Sequence, residues 1–94
     1  MKARALVAWN LRRIRVERGI SQEGLAYETG IDRAYVGGLE RKSHNPTIDL
    51  LERLALALNA EIGEFFTKVP KGAVSPKPLS AGRKTTKKSR RQKQ

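Results

Sequence analysis

The sequence predicts an all-α protein, a compact domain of five helices followed by a disordered basic tail, on three observations. Apolar residues recur at helical spacing up to Phe66, with no strict alternation that would argue for a strand. Four of the helix starts carry a capping residue or follow glycine or proline punctuation, so local chemistry agrees with the periodicity. Charge then divides the chain: residues 1–66 hold ten Lys+Arg against nine Asp+Glu, whereas residues 67–94 hold ten Lys+Arg and no acid. The expected organisation is a nearly neutral domain over 1–66 and a flexible Lys/Arg-rich tail over 67–94.

The first helix is expected from about Ala3 to Arg18. Val7, Leu11 and Ile14 fall on one face, Gly19 supplies the stop, and Trp9 lies off that stripe, partly exposed. Ser21 caps the second helix, QEGLAYET, which turns Leu25 and Ala26 inward and ends at Gly30. Asp32 is expected to cap the third, RAYVGGLERK, with Val36 and Leu39 facing the core. After the turn SHNP, Thr47 caps IDLLERLALALN, whose Ile48, Leu51, Leu54, Ala55 and Leu58 form a wide apolar stripe. A short fifth helix, EIGEFF, closes the domain. In the tail, Pro70, Pro76 and Pro78 oppose helix formation and the last dozen residues offer nothing apolar to bury, so disorder is expected there.

Composition excludes several classes. Ninety-four residues make one domain at most and leave little room for a large enzyme. With no cysteine, disulfides and cysteine-based zinc or nucleophile sites are ruled out. No apolar run approaches the roughly 20 residues of a spanning helix, and arginines occupy the N-terminal stretch where a signal peptide needs its apolar core. A cytoplasmic protein is expected, without membrane association. The sole histidine, His44, sits in a turn, while Asp32 and Thr47 read as caps; no catalytic constellation, metal-ligand spacing or cofactor motif assembles. A net charge of +11 favours a polyanionic partner, but its concentration in the tail means that a motif must carry any claim for the domain.

That motif is the spacing of helices two and three: eight residues, a turn with a glycine that can take a left-handed conformation, and a second helix free to enter a major groove. Around it stand LRRIR, SQEGLA, GIDRAYVGGLER, NPT and the closing LALAL. With these motifs the chain, from Val7 to Phe66, resembles the Cro/C1-type (XRE) helix-turn-helix regulators. The resemblance implies a lambda-repressor-like domain that binds double-stranded DNA as a homodimer, with helix three in the major groove of a palindromic operator.

Carried onto this sequence, the resemblance makes Arg33 the principal base reader, since a guanidinium there can bond guanine O6 and N7. Ala34 could touch a thymine methyl or do nothing. Gly37 and Gly38 fall at positions where related sequences carry serine and a variable, often base-reading residue. In a helix interior each costs roughly 1 kcal/mol relative to alanine. The absent side chain at Gly38 gives up one contact but permits closer backbone approach, unless the helix is simply frayed there. Gln22 at the start of helix two is expected on a phosphate, assisted by the positive helix end, or else it is an ordinary exposed glutamine. Tyr35 reaches a phosphate or packs its ring. Arg41, Lys42, Ser43 and Asn45 follow helix three beside the sugar–phosphate backbone, with Lys42 in place of the family's usual glycine; Arg12 and Arg13 contact phosphates from helix one or form a solvated face. Arg15 and Glu40 match a structural ion pair. Leu58, Ile62, Phe65 and Phe66 are expected to be part core and part dimer surface.

The expected function is therefore a sequence-specific transcription regulator, with repression as the simpler mode. The competing reading is a DNA-binding antitoxin or a bridging adaptor that captures a protein partner, such as a toxin or polymerase, through helix five and the tail. In a third, the tail supplies most of the affinity and binding ignores sequence; each neutralised phosphate would then steepen the salt dependence by about 0.9.

Overall fold

A computed structural model describes residues 2–73; the tail from residue 74 onward lies outside the described residues. The elements are α1 (Ala3–Glu17), α2 (Gln22–Thr29), α3 (Arg33–Glu40), α4 (Ile48–Ala57) and a 3₁₀ helix, η1 (Ile62–Phe66). The fifth helix expected from EIGEFF is thus a 3₁₀ turn, opened by a capping box in which Glu61 and Glu64 each bond the other's backbone. Among the described residues there is no strand, and no helix is long and apolar enough to cross a membrane.

Sequence sets the helix ends. Ser21 Oγ accepts the Gly24 N–H at 2.9 Å and Thr47 Oγ1 accepts the Leu50 N–H at 3.0 Å, which satisfies an orphan donor at the start of α2 and of α4. Asp32 holds the N-cap position of α3, but its side chain makes no cap hydrogen bond, a correction to its expected role. At this exposed start the backbone does the work, with the Tyr35 and Val36 N–H groups bonding the Asp32 carbonyl. Three helices end in the same paired arrangement, in which the chain turns left-handed and folds its next two N–H groups back onto the last turn. Gly19 supplies the turn after α1, while Lys42 after α3 (φ 67°) and Asn59 after α4 (φ 54°) adopt it without being glycine.

The core runs through all five elements. Val7, Leu11 and Ile14 of α1 join Leu25, Val36 and Leu39 with Leu51, Leu54 and Ala55 of α4 and its C-cap Leu58 in one cluster. Ile48 does not join this stripe: at the first position of α4 it is exposed, and burial begins at Leu51. In a 3₁₀ helix residues three apart eclipse, so Ile62 and Phe65 share a side. Phe65 is fully buried, Ile62 packs against the core, and Phe66 turns outward. The expected dimer surface is corrected accordingly. Leu58 and Phe65 are core residues with no accessible side chain to offer a partner, whereas Phe66 and Leu56 are exposed.

Two polar ties hold this packing. Asn10, fully buried in α1, donates through Nδ2 to the carbonyls of Phe65 (3.0 Å) and Thr67 (2.8 Å), which fixes the C-terminal end of η1 against α1. Arg18 donates from Nε to the Leu58 carbonyl at 2.9 Å, satisfying the C-terminus of α4.

Candidate nucleic-acid interface

The corner between α2 and α3 follows from three consecutive residues. Thr29 turns its hydroxyl back to the Leu25 carbonyl (2.8 Å) while accepting the Ile31 N–H (3.3 Å). Gly30 takes φ 73°, ψ 14°, a left-handed conformation that costs glycine nothing. Ile31 packs against the core, and α3 begins two residues later at Arg33. The result is a short rigid turn between two eight-residue helices, with one inward face on each, Leu25 and Ala26 on α2 and Val36 and Leu39 on α3.

The C-terminal half of α3 is anchored. Arg15 forms a two-pronged pair with Glu40, Nε to Oε2 at 2.6 Å and Nη2 to Oε1 at 2.9 Å, and both side chains are only 3% exposed. Two more hydrogen bonds extend the cluster. Arg15 Nη1 donates to the Ile20 carbonyl at 2.9 Å, and Glu40 Oε1 accepts from Gln22 Nε2 at 3.1 Å. One buried cluster thereby joins α1, α2 and α3. Gln22 is consequently half-buried and oriented by Glu40, which leaves it at the first turn of α2 with its amide oxygen toward Gly37.

The exposed side of α3 carries the residues singled out for base contact. Arg33 and Ala34 are exposed, and Arg33 makes no ion pair among the described residues. Residues 33, 37 and 41 are one helical turn apart and share a face. Arg41 is exposed and passes over Gly37, where an added Cβ would lie 3.1 Å from its Nη1. Gly37 and Gly38 are themselves buried, the first beneath Gln22 and Arg41 and the second beneath the ring of His44. The expected base contacts of Gly37 and Gly38, the latter by closer backbone approach, are therefore corrected, because Gln22 and Arg41 cover the first and His44 the second. Glycine at 37 makes room for Arg41 and Gln22, and glycine at 38 makes room for the imidazole.

The structure distributes the expected phosphate contacts unevenly. Lys42, Ser43 and Asn45 are exposed on the loop after α3, and Tyr35 is half-buried with its ring stacked on His44, centroids 4.2 Å apart. Arg12 on α1 is half-buried, with its Nε covered and without a hydrogen-bond partner among the described residues. Arg13 is occupied within α1 by Asn10 and Glu17. His44, which reads from the sequence only as a turn residue, lies against α3, and its separation from Gly38 gives no sign that the ring returns to the helix. Among the described residues no group of His, Cys, Asp and Glu could hold a metal ion.

Comparison with known proteins agrees with this geometry. The helix-turn-helix family model HTH_3 matches residues 11–65. A hypothetical transcription factor from Neisseria meningitidis is 47% identical over 55 residues, which is 58% of this chain and 52% of that protein, so the match spans about half of that relative's length. Among solved structures, the restriction-modification controller protein C.AhdI from Aeromonas hydrophila superimposes with a TM-score of 0.65 at 41% identity, over 67% of this chain and 96% of that one. The controller protein C.Esp1396I, solved as a tetramer in complex with its natural 35 base-pair operator, superimposes with a TM-score of 0.64 at 38% identity, over 70% of this chain and 87% of that one.

Proposed function

This chain belongs to the helix-turn-helix family HTH_3, and we propose that it is a DNA-binding transcriptional regulator that inserts α3 into the major groove of a short palindromic operator. The observation that carries the reading is the contrast within α3. Its C-terminal half is locked to α1 and α2 through Arg15, Glu40 and Gln22, and its N-terminal end presents an exposed Arg33 without an ion-pair partner among the described residues. A rigidly mounted helix with a free guanidinium at its leading end suits base readout, where a bidentate contact to guanine discriminates by about 1–3 kcal/mol. Ala34 beside it fits a thymine methyl.

In this reading Gln22, Tyr35, Arg41, Lys42, Ser43, Asn45 and Arg12 contact the sugar–phosphate backbone and fix register. The protein acts as a homodimer through the apolar side chains left accessible, Phe66 with Ile62, together with Leu56, which is 76% exposed. The segment 1–66 is the DNA-binding domain and the basic segment 67–94 raises affinity without choosing the site. The chain is cytoplasmic and non-enzymatic. It regulates by occupancy, with repression the simplest mode.

Selection from a random-sequence duplex library with the full chain tests this. The expected outcome is a palindromic motif with half-sites about one helical turn apart. Retention of DNA with no motif enriched, and with a salt slope set by the tail alone, would assign affinity to residues 67–94. No retention at all would instead favour capture of a protein partner by the domain.

A further inference from the structure

Two glycines in the middle of an eight-residue helix are expensive, and the structure gives the one at 38 a specific use. Gly38 is buried, yet what covers it is not another helix but the imidazole of His44, six residues later. A Cβ at position 38 would overlap Cδ2 and Nε2 of that ring. The ring is also stacked on Tyr35 at 4.2 Å with an interplanar angle of 6°, so one helical turn of α3, from Tyr35 to Gly38, forms a seat for it. The loop delivers it there because Lys42 turns left-handed and the Ser43 N–H bonds the Gly38 carbonyl at 2.8 Å, which sends the chain back along the helix.

We propose that His44 is a specificity-determining residue of the DNA interface, lent to α3 by the loop in place of the side chain that Gly38 lacks. Four features support it. The ring rests on the same helix as Arg33 and Ala34, the seat exists only because position 38 is glycine, stacking with Tyr35 fixes the ring plane, and the ring is half-buried, so part of it remains open. With its Cδ2–Nε2 edge against Gly38, the ring atom on the opposite side is Nδ1, which can donate to or accept from a base edge according to tautomer. His44 thus reads one position of the half-site adjacent to those read by Arg33 and Ala34, and Tyr35 acts as its positioning residue. The inference rests on the DNA-binding reading of α3.

The test is selection and affinity on duplex DNA for the full chain and three variants, His44→Ala, His44→Phe and Gly38→Ala, with thermal unfolding measured alongside. His44→Ala is expected to relax preference at one position in each half-site and to weaken the selected duplex about tenfold. His44→Phe keeps an aromatic ring for the stack but removes both ring nitrogens, and should relax the same position. Gly38→Ala should raise helix stability and yet relax the same position by displacing the ring, a divergence that a purely structural role for glycine would not produce. An unchanged motif in His44→Ala, or full preference retained in His44→Phe, overturns the inference while leaving the DNA-binding reading standing. A wild-type chain that selects no motif removes both.

Discussion

At its C-terminal end α3 is fastened to the rest of the domain by a buried ion pair and two further hydrogen bonds, from Arg15 to the Ile20 carbonyl and from Gln22 to Glu40, whereas the Asp32–Ala34 end carries exposed side chains and no side-chain cap. Both ends hold arginine or its partner, yet the chemistry of the two is opposite. Arg15 makes three hydrogen bonds inside the protein, two of them to Glu40, and Arg33 forms no ion pair among the described residues. A buried guanidinium without a carboxylate would be prohibitively costly, while an exposed one at a helix start costs almost nothing until a ligand engages it. The comparison separates the residues that place the reading helix from those that read.

The largest expected effect comes from breaking the anchored end. Glu40→Ala leaves the Arg15 charge buried without its partner and removes the acceptor for Gln22, which should cost about 3–5 kcal/mol in chemical denaturation. Replacing the whole cluster with well-packed apolar residues would cost far less, a result that would show the pair to serve geometry more than stability. Asn10→Ala removes the tie on the opposite side of the domain and strands the Phe65 and Thr67 carbonyls, with an expected loss of about 1–3 kcal/mol. Since Asn10 lies away from α3, operator preference should survive in the folded fraction, which sharpens the division between scaffold and interface. Ser21→Ala removes the α2 cap and should lower stability by about 1 kcal/mol by thermal unfolding, again without altering base preference.

Much of the scaffold is visible in the sequence because it obeys local rules. The stripes Val7, Leu11, Ile14 and Leu51, Leu54, Leu58 are helical repeats, Ser21 and Thr47 are caps, and Gly19 and Gly30 take the left-handed turns that glycine signals. The helix-turn-helix spacing was equally legible. What stayed hidden depends on contacts between distant segments. Phe65 and Phe66 are neighbours of the same type, and only the 3₁₀ geometry and the docking of η1 on α1 decide which is core. Nothing local marks Asn10 for burial, which follows from the carbonyls of Phe65 and Thr67 that it bonds. Lys42 and Asn59 turn left-handed without glycine, so the loop path that carries His44 onto Gly38 left no local signature.

The most direct measurement is the affinity of the wild-type chain and of Arg33→Ala for a selected operator duplex and for a scrambled duplex, at about 150 mM salt where non-specific binding is weak. Loss of one bidentate base contact, about 1–3 kcal/mol, predicts a drop of roughly 5- to 150-fold on the operator, a much smaller change on the scrambled duplex, and an unchanged unfolding temperature. An equal drop on both duplexes would make Arg33 a phosphate contact, and no drop on either would contradict the assignment of α3 as the reading helix.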